Sequence, residues 1–136
     1  ILNANLIDLE KAMVNDVMKD RLKLNDQRLN DMAQGILDVV KLSDPTGKVL
    51  NERTLENGLV IQKVSVPLGV IAIRPNVTSD AATLCIKSGN TCILRIGKEA
   101  WNSANAIVQA LQEGIQKCGV NPNIVLTPAE VLKNRE

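Results

Sequence analysis

The 136-residue chain contains no histidine, phenylalanine or tyrosine and a single tryptophan. Without histidine it lacks the commonest metal ligand and the commonest general base at neutral pH, and no metal site is expected. Without aromatic platforms it is poorly equipped to stack the bases of a single-stranded nucleic acid, and its core must be aliphatic. An excess of one charge is missing too: 16 Lys and Arg stand against 15 Asp and Glu, a formal net charge of +1. No electrostatic footprint for nucleic acid or a membrane surface is therefore visible. No apolar run approaches the roughly 20 residues that span a bilayer. The three cysteines, Cys85, Cys92 and Cys118, match no zinc or redox spacing, and their odd number argues against a closed disulfide framework. A reducing, cytoplasmic setting is expected, and the opening ILNANLIDLEKA carries acids early, unlike a signal peptide.

What is present is ordinary for a soluble domain, 45% hydrophobic and 23% charged, enough for one modest core. Leu2, Leu6, Leu9, Met13 and Val17 recur at steps of three or four, the apolar face of an amphipathic helix. A second helix starts at Asn25 or Asp26, with Leu29, Met32, Ala33, Ile36, Leu37 and Val40 as its buried stripe, so a helical pair is expected over residues 1–42. Asn57-Gly58 between two β-prone runs predicts a hairpin over residues 43–66, either covering its own domain or pairing with another chain through its edge.

From Pro67 onward the pattern changes. A short apolar strand, VIAI, leads into the turn Arg74-Pro75-Asn76; a helix from Thr78 to Lys87 ends before Gly89; a second apolar strand covers 91–96 and breaks at Gly97. A long helix follows, with Ala100, Ala104, Ile107, Val108, Leu111, Ile115 and Cys118 as its core stripe. A short strand over 124–126 precedes Thr127-Pro128-Ala129-Glu130, a capping box with proline at the first helical position. This β-α-β-α-β-α order predicts an α/β fold, residues 67–136 forming part of a Rossmann-like parallel sheet buried on both faces. The carboxyl ends of such strands are where nucleotides bind.

The strand-end residues have two readings each. Asn76 can act chemically or simply cap the helix after it. Arg74 can touch a substrate anion or a cofactor diphosphate, or form a surface ion pair. Arg95, Gly97, Lys98 and Glu99 can meet a ligand or make a solvated turn. Cys85, Cys92 and Cys118 read as buried structural thiols, and Trp101 as a residue packed between helix and sheet, with stacking on adenine the alternative.

Taken in order, PLGVIAI, RPNVTSDAA, LCIKSGNTCILR and GKEA, with DRLKL, DPTGKVL and LENGL before them, closely resemble the γ-glutamyl phosphate reductase (glutamate-5-semialdehyde dehydrogenase) family of the aldehyde dehydrogenase superfamily. The resemblance covers about residues 1–125. It implies an oxidoreductase of proline biosynthesis that uses NADP(H) to reduce L-glutamyl 5-phosphate to L-glutamate 5-semialdehyde with release of phosphate. A cysteine thiolate attacks the acyl phosphate to give a thioester, which hydride then reduces. It further implies Asn76 as the donor to the developing oxyanion, and Arg74, Pro75, Arg95, Gly97, Lys98 and Glu99 as cofactor-binding, the last four along the adenosine ribose. The hairpin would join subunits into a homo-oligomer. The resemblance also implies a partial chain. The family's catalytic cysteine lies in a domain that the 136 residues lack, and the stretches near 13–17 and before Arg74 are shorter than in the family. Two alternatives stand beside this reading: a non-catalytic nucleotide-binding or oligomerisation fragment, and another superfamily enzyme such as a CoA-acylating aldehyde dehydrogenase.

Overall fold

The structure, a computed structural model, describes residues 1–13, 15–74 and 78–133. Three helices come first: α1 (Leu2–Lys11), α2 (Asp16–Leu22) and α3 (Asp26–Lys41). They replace the expected pair because Asn15 starts a new helix, its side chain accepting from the Met18 N–H, as Asn25 does for α3 from the Arg28 N–H. The leucine stripe of α1 is also displaced. Asn5 and Asp8 are the residues buried on this helix, while Leu6 and Met13 face solvent. On α3, Leu29, Met32 and Ile36 are half-buried, and Ala33, Leu37 and Val40 are exposed.

β1 (Val49–Thr54) and β2 (Val60–Val64) form the antiparallel hairpin, turning at Asn57-Gly58. Gly58 adopts φ +84°, a conformation glycine enters without steric cost, and its N–H donates to the Leu55 carbonyl. Every residue of both strands is exposed.

β3 (Val70–Ile73), β4 (Thr91–Leu94) and β5 (Val125–Leu126) form a parallel sheet in that spatial order, confirming the α/β expectation. α4 (Thr78–Lys87) joins the first two strands and α5 (Trp101–Lys117) the next two; α6 (Pro128–Lys133) ends the described chain. The core is Ala82, Cys85, Cys92, Leu94, Val108 and Val125, with Ile71 and Ile73 against it. Burying each leucine or valine there stabilises by about 1.5–3 kcal/mol. The sheet alternates instead of being covered on both faces: Cys92 and Leu94 are buried, Thr91 and Ile93 half-buried, Val70 and Ala72 exposed. Both crossover helices pack on the cluster built around Cys92 and Leu94, which leaves the opposite face open among the described residues.

The start of β3 is latched to the end of α4. Asn90, 6% exposed, accepts from the Gly69 N–H through Oδ1 and donates through Nδ2 to Ser88. Gly89 takes φ +72° beside Pro67, where a β-carbon would lie 2.9 Å from the proline ring. Both its conformation and the available space require glycine. Glu130 accepts from the Thr127 N–H and hydroxyl, closing the capping box at α6.

Two expectations about packing change. Cys118 is exposed, because it lies past the last turn of α5 as its C-cap. Trp101, 42% exposed, sits at the start of α5 and lines a groove with Ala4 and Ile7 of α1.

Candidate functional site

The tips of β3 and β4 bring two of the singled-out residues together. Ile73 and Leu94 are the last register pair, and the Arg95 N–H donates to the Ile73 carbonyl at 2.8 Å, carrying the ladder one step further. Arg74 and Arg95 therefore leave neighbouring strands side by side, with backbones about 4.8 Å apart, and both are exposed. The ion pairs among the described residues are Arg28–Asp20 and Lys41–Asp38, so the surface-pair reading of Arg74 has no described partner. Two guanidiniums with no ion-pair partner among the described residues, at adjacent parallel strand ends, suit a phosphate-bearing ligand. Pro75 and Asn76 lie outside the described residues.

Beyond Arg95 the chain makes a single 3-10 turn, Lys98–Ala100, before α5. Gly97 precedes it at φ −71°, a conformation open to any residue. A β-carbon here would come within 3.1 Å of Glu99 Oε2, the end of a flexible side chain. The turn thus has no backbone need for glycine, and the missing side chain instead leaves the peptide open to close approach. Lys98 and Glu99 are exposed and line a cavity of about 330 Å³ together with Asp8, Lys11 and Asn102.

This cavity shows what the sequence reading missed. Asp8 of α1 is 3% exposed and binds the first turn of α5. Its Oδ1 accepts from the Asn102 N–H and Nδ2 at 3.1 and 2.8 Å, its Oδ2 from the Ser103 N–H and hydroxyl at 2.7 and 2.5 Å. Burial would push the carboxyl pKa up. The bonds from the Ser103 side chain and N–H, then those from Asn102, outweigh it and hold the carboxyl below its usual range. Asn5 completes the junction, donating to Leu22 O and Ser103 Oγ and accepting from the Leu24 N–H. One signal was available: α5 begins after Ala100, which has no side chain able to cap it, so a long helix lacked a local N-cap.

The thiols are placed as structural groups. Cys85 and Cys92 are buried, and burial, then the neighbouring Cys85, pushes the Cys92 thiol up to about 12. Cys118 is exposed as the C-cap of α5. Among the described residues no cluster of metal-ligating side chains occurs, and no helix is long and apolar enough to cross a membrane.

Against known proteins, the chain is 50% identical over 131 residues to the γ-glutamyl phosphate reductase of Streptococcus pneumoniae (strain Hungary19A-6), a match covering 92% of this chain and 31% of the relative. Along nearly its whole length the chain is related to γ-glutamyl phosphate reductases. Two solved structures of enzymes with that name agree. The Thermotoga maritima protein superposes with a TM-score of 0.86 at 42% identity, over 93% of this chain and 32% of its own. The Saccharomyces cerevisiae protein gives 0.81 at 35% identity, over 93% and 35%. The chain thus spans about a third of the length of these reductases. No family model matches it.

Proposed function

We propose that this chain supplies the cofactor-facing part of a γ-glutamyl phosphate reductase, catalysing NADPH-dependent reduction of L-glutamyl 5-phosphate to L-glutamate 5-semialdehyde and phosphate in proline biosynthesis, in the cytoplasm. The observation that carries this reading is the agreement of sequence and fold with reductases of that name over nine-tenths of the chain. The strand tips supply independent support, being an open, cationic edge of the kind that holds a dinucleotide.

In this reading Arg95 and Lys98 attract the phosphate groups of the adenosine half, Glu99 accepts from ribose hydroxyls, and Gly97 lets the backbone come close. Arg74 and Pro75 serve the cofactor at its diphosphate, and Asn76 donates to the oxyanion. The bound nicotinamide supplies the hydride. The nucleophilic thiolate comes from the part of the reductase outside these residues, a reading that the burial of Cys85 and Cys92 supports. The hairpin, exposed along both strands, joins a second copy of the chain into a homo-oligomer.

The test is run backwards with the whole protein. Semialdehyde, phosphate and NADP⁺ should yield glutamyl phosphate, NADPH and a proton, read by absorbance of the reduced cofactor. Arg95→Met should raise the Kd for NADPH by about tenfold or more. Cofactor reduction that does not require phosphate would overturn the reaction. Unchanged affinity in the variant would overturn the placement of the nucleotide. NADPH affinity with no turnover would favour the non-catalytic reading.

A further inference from the structure

α1 and α5 meet through a polar junction that ordinary helix packing does not require. The residues that α1 buries are Asn5 and Asp8. Asp8 receives four hydrogen bonds from Asn102 and Ser103, 94 and 95 residues away, all from the first turn of α5. Neither the 3-10 turn over Lys98–Ala100 nor α5 has a side-chain cap of its own, and the turn is entered by a bond from the Ala100 N–H to the Gly97 carbonyl at 3.3 Å. A carboxylate at a helix N-terminus satisfies orphan N–H groups and complements the dipole. Here it comes from another helix, so it fixes where α5 begins, and hence where the preceding turn lies. Asp8, Lys98, Glu99 and Asn102 line the same cavity.

We propose that Asp8 is a positioning residue for nucleotide binding: by capping α5 from α1, it holds the Gly97–Lys98–Glu99 turn at the height where it meets the cofactor. The inference rests on the nucleotide reading given above and adds a residue that does not touch the ligand. Asn5 supports it from behind, with Nδ2 on Ser103 Oγ at 3.0 Å.

The test compares the whole protein with Asp8→Asn and with the milder Ser103→Ala, measuring NADPH affinity by fluorescence titration and KM for NADP⁺ against kcat in the reverse reaction. Asp8→Asn replaces one acceptor by a donor facing the Ser103 N–H. The Kd for NADPH and the KM for NADP⁺ should rise about tenfold, while kcat at saturating cofactor stays within about twofold. Ser103→Ala keeps both backbone bonds and should raise the same constants about threefold; it decides the matter if Asp8→Asn does not fold. A melting temperature that drops while nucleotide affinity is unchanged would show a purely structural clasp and overturn the proposal. If the unaltered protein binds no NADPH, the nucleotide reading falls and this one with it. If the unaltered protein binds and the two variants bind equally well, only this one falls.

Discussion

The chain contains two β structures that make opposite use of similar residues. In the parallel sheet, Leu94 and Val125 are fully buried beneath α4 and α5. In the hairpin, Leu50, Leu59 and Val60 are more than half exposed, although the strands are longer and better paired. The hairpin is held by its ladder and by Gly58 at the turn, and it offers apolar surface that nothing else in the described chain covers. The sheet is held by the alternation of Ile71, Ile73, Cys92 and Leu94 toward one side. Strand length and pairing therefore say little about where the stability of this chain resides; burial decides it.

The comparison can be broken by paired substitutions. Leu94→Ala removes a fully buried side chain and should cost about 2–5 kcal/mol by denaturant unfolding, whereas Leu59→Ala should stay within about 0.5 kcal/mol in the dissociated chain. A large effect at Leu59 that depends on protein concentration would show that the hairpin is covered by a second copy. Next in size is Gly89→Ala, which places a methyl against Pro67 at positive φ and should cost about 1–3 kcal/mol. Gly58→Ala, at similar φ but in open space, should cost only about 1 kcal/mol. Asn25→Ala should lose about 1 kcal/mol, the worth of the α3 cap. The junction at Asp8 is checked by pH. Its pKa lies below the unfolded value, so its contribution is present above about pH 4 and fades as pH falls through the folded value. Unfolding midpoints measured from pH 6 to pH 3 should decline less in Asp8→Asn than in the unaltered chain.

The sequence disclosed most where a signal is local. α4 runs from Thr78 to Lys87 as read, because Gly89 ends it with a conformation few other residues adopt. The hairpin turn and the capping box at Thr127 were legible for the same reason. The buried face of α1 was not, because its leucines follow a helical period while tertiary hydrogen bonds bury the polar residues between them. The covering of both sheet faces was over-read, since a run such as VIAI is equally apolar whether one side or two are packed. Of the candidate site, the juxtaposition of Arg74 and Arg95 follows from the β-α-β pattern once the register is known. Asp8 was hidden by its distance of 94 residues from the nearest group it serves.

The bond from the Arg95 amide to the Ile73 carbonyl fastens the two strand ends like a rivet, so the side chains of Arg74 and Arg95 spring from neighbouring anchor points. A polyanion settling across both, as the proposed nucleotide site requires, would also clamp the rivet. The Arg95 amide should then exchange its hydrogen with solvent more slowly as polyanion is added, and addition of salt should weaken that protection.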